Sequence, residues 1–577
     1  MGGADVTLIV ASDGREDFGL YTSELLRMEG VAVTVRGLGD GLPALLPGVV
    51  VLASDLPLTR PEADLLHRHA EAGGRLVFLA PHPHGAEEFG FAPTYRTSVE
   101  GFLRMTWPGL PPEPMQFHAA LRHMVIPANG RVVAQVCTGD ASHTPTGEPA
   151  IVRLPLGLGE AWFFLYDLPR SIAWTRQGDP RRSGLHGNHV APGWRPADMF
   201  AGFLAPECAA TPQADLQCHL LRHAICSPPM HVDGPEDGGV PWLWPFPDDA
   251  PTVLLLSSDE DWSTPEQFEA LHDALGRYDA RITWYLVPET CITPERFDAW
   301  RGEGHTFSIH PVLEEPLART WEPSIARHRA EFRERFGVEA GPSVRNHAIP
   351  WVGYVTGARI NAALGFMWDA NYFTCPPRTW HYMTGGALPL PFVDVTGEVI
   401  PILQLPAQFS DETTLAASGY EFSLGLQEDE AVESVIGLLR ANAERYHSLL
   451  CVNTHPVSFA GYSRGLWERV LAEAQRLAVP RMSLEGYAEF WETRQKVEVG
   501  PATPTKAGWT RRVTVPDGAA SVSLIVPGAS GGRFEWDGVP SDVGTREVFG
   551  VPHAVVRLPE VRGACVLAWR SVAGVSP

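Results

Sequence analysis

Cysteine is scarce. The 577 residues hold eight (Cys137, Cys208, Cys218, Cys226, Cys291, Cys375, Cys451, Cys565), none in a CxxC pair. That excludes a disulfide-dense scaffold and predicts buried thiols. One cluster, Cys218, His219, His223 and Cys226 in QCHLLRHAIC, has zinc-binding residue types. The same spacing puts Cys218, Leu221 and Cys226 on the apolar side of a helix, and no second ligand pair follows at finger spacing, so a packed helix is expected. Positive charge is the second shortage: 45 Lys and Arg face 68 Asp and Glu, a formal net charge of −23. Polyanion binding needs clustered cations, so nucleic acid and anionic membranes are not expected partners. Long apolar runs are missing too. No stretch approaches the roughly 18 residues of a membrane span. The opening MGGADVTLIVASDG has no basic segment before its short apolar run, which makes a cytoplasmic location the expectation. Repeats and long low-complexity tracts are also absent.

What is present is an ordinary globular composition, 44% hydrophobic and 20% charged, in a chain long enough for several domains. Residues 1–205 alternate strand and helix patterns. Strands are expected at Val6–Val10, Ala32–Val35, Val49–Leu52 and Leu76–Leu79, with helices at Tyr21–Met28 and Pro61–Ala72. Gly30, Gly73 and Gly74 stand where helix C-caps are wanted. This predicts an open, mainly parallel, doubly wound sheet. Residues 206–250 turn rich in Pro, Gly and Asp (SPPMHVDGPEDGGVPWLWPFPDD), a linker signature. Trp242, Trp244 and Phe246 interrupt it and are expected to pin it to a neighbouring domain, with an aromatic platform for sugar rings as the alternative. Residues 251–498 resume the alternation, with strands at Val253–Leu256, Ile282–Val287, Thr306–Ile309, Ser343–Asn346, Phe366–Asp369, Val399–Gln404 and Leu449–Asn453. Strands with helical connections suggest an incomplete or distorted (β/α) barrel. Residues 499–577 show short alternating runs between DG, GASGG and VRG turns, the pattern of a small antiparallel β-sandwich.

LIVASD, VVVLASD, RLVFLAP and the late EAWFFLYDLP resemble the class I glutamine amidotransferase-like domains of flavodoxin type. Catalytic members carry a cysteine on a glycine-flanked elbow. Here the corresponding turn is LAPHPHG, with His82 and His84 and no cysteine, so a noncatalytic role in packing or partner binding is expected.

The chemistry concentrates in 251–498, where polar groups stand at successive strand ends: Asp259, Glu260 and Asp261; His310; Arg345, Asn346 and His347; Asp369 and Asn371; His455. In parallel α/β folds such ends converge on one site. Mixed imidazole and carboxylate donors suit a divalent metal, with a carboxylate beside it as base and a histidine opposite as acid. The order of motifs resembles the polysaccharide deacetylases, carbohydrate esterase family 4. In LSSDEDWST the resemblance implies Asp259 as general base and Glu260 or Asp261 as the metal carboxylate. GHTFSIHPVLE, which opens with Gly304 and His305, is similar to the family's metal motif, His310 being the first metal histidine. Four residues on stands Glu314 instead of a second histidine. With Pro311 at the first helical position the two would share a face, so Glu314 is expected as a ligand, with Glu315 and His347 as substitutes. In SVRNHAIPWVGY, Arg345 is expected to hold the base ionised, with Asn346 and His347 in the substrate pocket. MWDANYF implies Trp368 as a pocket wall, Asp369 as a histidine's partner and Asn371 beside it. LLCVNTHPVSF implies His455 as general acid.

The reading is a metal-dependent hydrolase, with zinc expected and other divalent ions admitted, removing an acyl group, most simply acetyl, from a carbohydrate. A catalytically altered carbohydrate-binding protein and a hydrolase of small non-sugar amides are the alternatives.

Overall fold

The computed structural model describes residues 5–12, 18–42, 48–185, 194–228, 239–313, 318–374, 381–528, 532–560 and 562–571. The protein is a mixed α/β assembly of large sheets. In the first, strands Val6–Val10, Val33–Gly37, Val49–Leu52, Arg75–Leu79 and Gly159–Phe164 lie parallel to their neighbours. The sheet then turns antiparallel through Pro145–Leu156, Arg131–Cys137, Gly101–Met105 and Met115–Phe117. The expected mainly parallel sheet is therefore only half right. The cause is the hairpin at Gly157, which has a positive φ of 55° and closes Leu156 directly onto Gly159. A turn that short joins only antiparallel strands, since a parallel connection needs a dozen residues or more.

Residues 206–250 are not a free linker. Gln213–Cys226 is an α-helix in which every residue but His223 is buried. Its polar side chains tie together segments far apart in the chain. His219 Nδ1 lies 2.9 Å from Glu29, and its Nε2 3.1 Å from the Tyr446 carbonyl. The Asp215 carboxylate accepts from Ala387 N at 3.0 Å and Ser448 Oγ at 2.5 Å. The expected packing role of QCHLLRHAIC fits this helix. Trp242, Trp244 and Phe246 are buried, and Trp242–Leu243 adds a strand to Ser523–Pro527 of the C-terminal module. With no face open to solvent, they are pins and not a sugar platform. That module consists of two antiparallel sheets, the smaller completed by this borrowed strand.

In the central region the parallel strands follow chain order: Leu254–Asp259, Thr283–Leu286, Thr306–Ile309, Ser343–Val344, Trp368–Asp369 and Val399–Gln404. The chain after Gln404 then crosses from this last edge, bridging Phe373 to Ala407, and pairs through Phe409–Ser410 with Leu450–Thr454. That strand lies against Leu254–Asp259 again. The carboxyl ends of these strands thus face one common mouth. Residues 195–200 also belong here, because Ala197, Met199 and Phe200 sit in the same apolar cluster as the central strands. A second cluster runs from Val6 through Trp242 to Trp569, so the segments share cores. No described helix is long and apolar enough to cross a membrane.

Candidate functional site

At the mouth lies a cavity of about 200 Å³ bounded by Asp259, Asp261, His310, His347, Glu412 and His455, with Arg195, Phe373, Tyr420 and Phe422 among the rest of its wall. Strand Leu254–Asp259 delivers its carboxylates by alternation: successive side chains point to opposite faces. Asp259 turns inward. Glu260 turns the other way, its carboxylate accepting from Val287 N at 3.0 Å and Cys291 N at 3.3 Å. Burial pushes the Glu260 carboxyl up to about 7. It caps a loop and is not at the cavity, so of the two expected metal carboxylates only Asp261 is in position. Asp261 and Trp262 both adopt left-handed backbone (φ 45° and 54°), a conformation costly for residues with a Cβ. The turn bends Asp261 back over the strand end.

Asp259 is held from two sides. Arg345 Nη1 donates to Oδ1 at 3.1 Å and Asn453 Nδ2 to Oδ2 at 3.0 Å. Arg345 is itself fixed by Ser257 Oγ at 2.8 Å, Asn453 Oδ1 at 2.5 Å and the Ala370 carbonyl at 3.0 Å. Asp261 stands between two imidazoles: His310 Nε2 is 3.3 Å from Oδ1 and His455 Nε2 is 3.7 Å from Oδ2. Each imidazole is oriented from behind. His310 Nδ1 donates to the Arg345 carbonyl at 2.8 Å, and His455 Nδ1 to Asp411 Oδ1 at 2.7 Å. His455 Nε2 also lies 4.0 Å from Asp259 Oδ2 and 3.9 Å from Glu412 Oε2.

The charges reinforce one another. Burial opposes ionisation of Asp261, yet His310 and His455 outweigh it and hold the carboxyl below the usual carboxylate range. Burial also works against charge on His455, but Asp411 and then Glu412 raise its pKa well above the ordinary value. His310 is raised in the same way, by Asp259 and Asp261 against burial. Glu412 goes the other way: burial, with Asp411 and Asp261 adding repulsion, pushes it up to about 7. His347 is lowered, by burial and then by His310.

Five of the expected site residues, Asp259, Asp261, His310, His347 and His455, therefore meet at the cavity, and Arg345 supports them from below. Others do not reach it. Trp368 is buried in the core. Asp369 accepts from Asn361 Nδ2 at 2.8 Å, Asn371 N at 3.0 Å and Asn371 Nδ2 at 3.1 Å, and burial pushes its carboxyl up to about 6. The expected histidine partner is Asp411 and not Asp369. Asn371 Oδ1 in turn accepts from the backbone N of Asn346 at 2.8 Å, so these two asparagines brace the arginine strand beneath the cavity. Glu314 and Glu315 lie outside the described residues. His305 is at the amino end of its strand, its Nδ1 accepting from Ile282 N at 3.3 Å.

Sequence reasoning missed Asp411, Glu412, Asn453 and Arg195. Asp411 and Glu412 follow a two-residue strand, Phe409–Ser410, too short to show an apolar period. The acidic pair in FSDETT was the available signal. Asp261, Glu412 and His455 bring one ligand atom each within 4.8 Å of one another. Asp261 Oδ1 has beside it only His310 Nε2, 3.3 Å away, short of a well-formed hydrogen bond. A buried carboxylate oxygen facing an imidazole-rich cavity fits a divalent cation. A second trio, His272, Glu303 and His305, is a poorer fit, since the backbone bond to His305 Nδ1 puts the ring proton on Nε2. A wider groove of about 870 Å³, between helix Gly19–Met28 and residues 494–514, has no histidine in its wall.

No family model and no curated protein matches the chain. Among solved structures, the chain is similar to the carbohydrate deacetylase Agd3, with 11% identity and a TM-score of 0.41 over 99% of this chain and 100% of that one. A putative polysaccharide deacetylase of O-antigen biosynthesis from Bordetella bronchiseptica shares 13% identity at a TM-score of 0.26, over 39% of this chain and 91% of that one. The Bc1960 peptidoglycan N-acetylglucosamine deacetylase shares 12% at 0.28, over 42% and 90%.

Proposed function

We propose that this cavity hydrolyses an acyl group, acetyl in the first instance, from a carbohydrate with the help of a divalent cation, on a distorted barrel of polysaccharide-deacetylase type. The observation that carries the reading is Asp261 lying between His310 and His455 with the arginine-held Asp259 beside it. Asp261 and His310, 3.3 Å apart, would hold the cation, with Glu412, whose carboxylate groups with Asp261 in the cavity, as a further donor. Such an ion supplies Lewis acidity, which polarises a carbonyl and acidifies water. Zinc suits the imidazole, and the two carboxylates also admit harder ions.

The protein's own groups divide the proton work. Asp259, fixed in place by Arg345 and Asn453, takes the proton of the attacking water. His455 is the acid: Asp411 fixes Nδ1–H, and Nε2 faces the cavity to protonate the departing nitrogen or oxygen. His310 is kept from turning by the Arg345 carbonyl, so the arginine strand positions both the base and a metal ligand. Tyr420 and Phe422, stacked 4.7 Å apart at the rim, offer an apolar face to a sugar ring.

The test is acetate release from a panel of N- and O-acetylated sugars, with chelator and after reloading with zinc, cobalt or manganese. Release that chelator stops and reloading restores is the expected result. Silence across the panel with every ion would sink the hydrolase in favour of a binding module, and release from small non-sugar amides alone would move the substrate away from carbohydrate.

A further inference from the structure

We infer that Arg195 makes this cavity selective for a sugar bearing a carboxylate, an inference that rests on reading the cavity as a carbohydrate site. Arg195 is 8% exposed and is part of the wall of the same cavity as the carboxylates and imidazoles already described. Its Nε is buried without a hydrogen-bond partner. Burying an unpaired guanidinium is unfavourable unless something meets it.

The nearby acids are committed elsewhere. Asp198, three residues on, accepts from the backbone N of Arg195 at 2.9 Å. Asp259 is held by Arg345, Asp261 lies between the two histidines, and Glu412 lies 3.9 Å from His455 Nε2. Nor is Arg195 at liberty to swing into solvent. The Trp194 carbonyl accepts from Trp351 N at 3.0 Å, and Ala197, Met199 and Phe200 are sunk in the central core. A guanidinium on an anchored backbone, with its Nε–H unpartnered at a cavity wall, suits a planar anion, which such a group meets through paired hydrogen bonds. The setting sharpens the point. In a chain with a net charge of −23 an anionic ligand is repelled at long range, so its capture calls for a dedicated local cation. A carboxylate on the sugar meets that description, and the acyl group then lies toward Asp261 and His455.

Binding, and not turnover, tests this. Methyl glucuronoside and methyl galacturonoside, their carboxyl methyl esters, and the neutral methyl glycosides would be titrated into the full-length protein by calorimetry or saturation-transfer NMR. The acids should bind on the order of ten- to a hundredfold more tightly than their esters. Arg195→Gln should erase that ratio, and Arg195→Lys should keep part of it. Equal binding of acid and ester by the unmodified protein, or no binding of any acid, overturns the inference without recourse to a variant that might not fold. Acetate release separates the two readings. Equal release from neutral and acidic acetylated sugars sinks Arg195 selectivity and leaves the hydrolase standing. Acid-selective binding with no acetate release does the reverse.

Discussion

The imidazole of His455 is oriented by one group: Nδ1–H points at Asp411 Oδ1, 2.7 Å away, leaving Nε2 to the cavity. Asp411 also accepts from Thr454 Oγ1 at 2.8 Å and His455 N at 3.0 Å, so its carboxylate cannot rotate out of place. In Asp411→Asn the amide nitrogen competes for the ring nitrogen and the wrong tautomer becomes available. A kcat lowered on the order of 10²- to 10⁴-fold, with KM nearly unchanged, is expected on whichever acetylated sugar proves to be the substrate. A fall in KM affinity with kcat intact would instead assign Asp411 to binding. At this scale much of the site was legible. Asp259, Asp261, His310 and His455 each follow a strand-forming run, and a polar residue after such a run sits at a strand end, while Arg345 follows only the short Ser343–Val344. Glu260 was misassigned because its neighbours on both sides point inward, and alternation sends it outward to Val287 and Cys291.

At the scale of elements, helix Gln213–Cys226 packs as Cys218, Leu221 and Cys226 predict, and buries its polar side as well. Gln213, Asp215, Gln217, His219 and Arg222 make it look polar, yet all five are buried. Their partners lie far off in the chain: Gln217 Oε1 accepts from Tyr166 Oη at 3.0 Å, and its Nε2 donates to the Gln116 carbonyl at 3.1 Å. A helix satisfied in this way behaves as core. Leu221→Ala should therefore cost about 2–5 kcal/mol, as for a fully buried leucine, and lower the urea midpoint of the whole chain. An unchanged midpoint would restore the stretch to the status of a linker.

At the scale of the whole molecule, burial governs the response to pH. His118, His223, His305 and His447 are pushed down to about 3, and His328, His381 and His553 to about 4, each chiefly by desolvation. The unfolded chain protonates these groups near 6.5 and the folded chain only far below. Their contribution is complete above pH 6.5 and is lost as pH falls toward 4 and 3. Glu260 and Glu412, raised to about 7, and Asp369, raised to about 6, act in the opposite sense, stabilising below their unfolded values and losing that as pH rises. His310 and His455, raised above the ordinary value, act in that same sense. The seven lowered histidines outnumber these five groups, so the urea midpoint is expected to fall between pH 7 and pH 5, and a midpoint that rises would show the raised groups dominating.

Much was settled by local pattern: the strand and helix alternation, the antiparallel repeats after Val499, the scarcity of cysteine, and the strand-end carboxylates and imidazoles. These follow from period and composition, which neighbouring residues carry. Tertiary structure decided the rest. It placed Asp411 behind His455, seated Arg195 in a cavity belonging to a later stretch, and buried the polar side of an expected helix. Each depends on contacts across tens to hundreds of residues, and no local periodicity encodes which distant group will satisfy a buried charge.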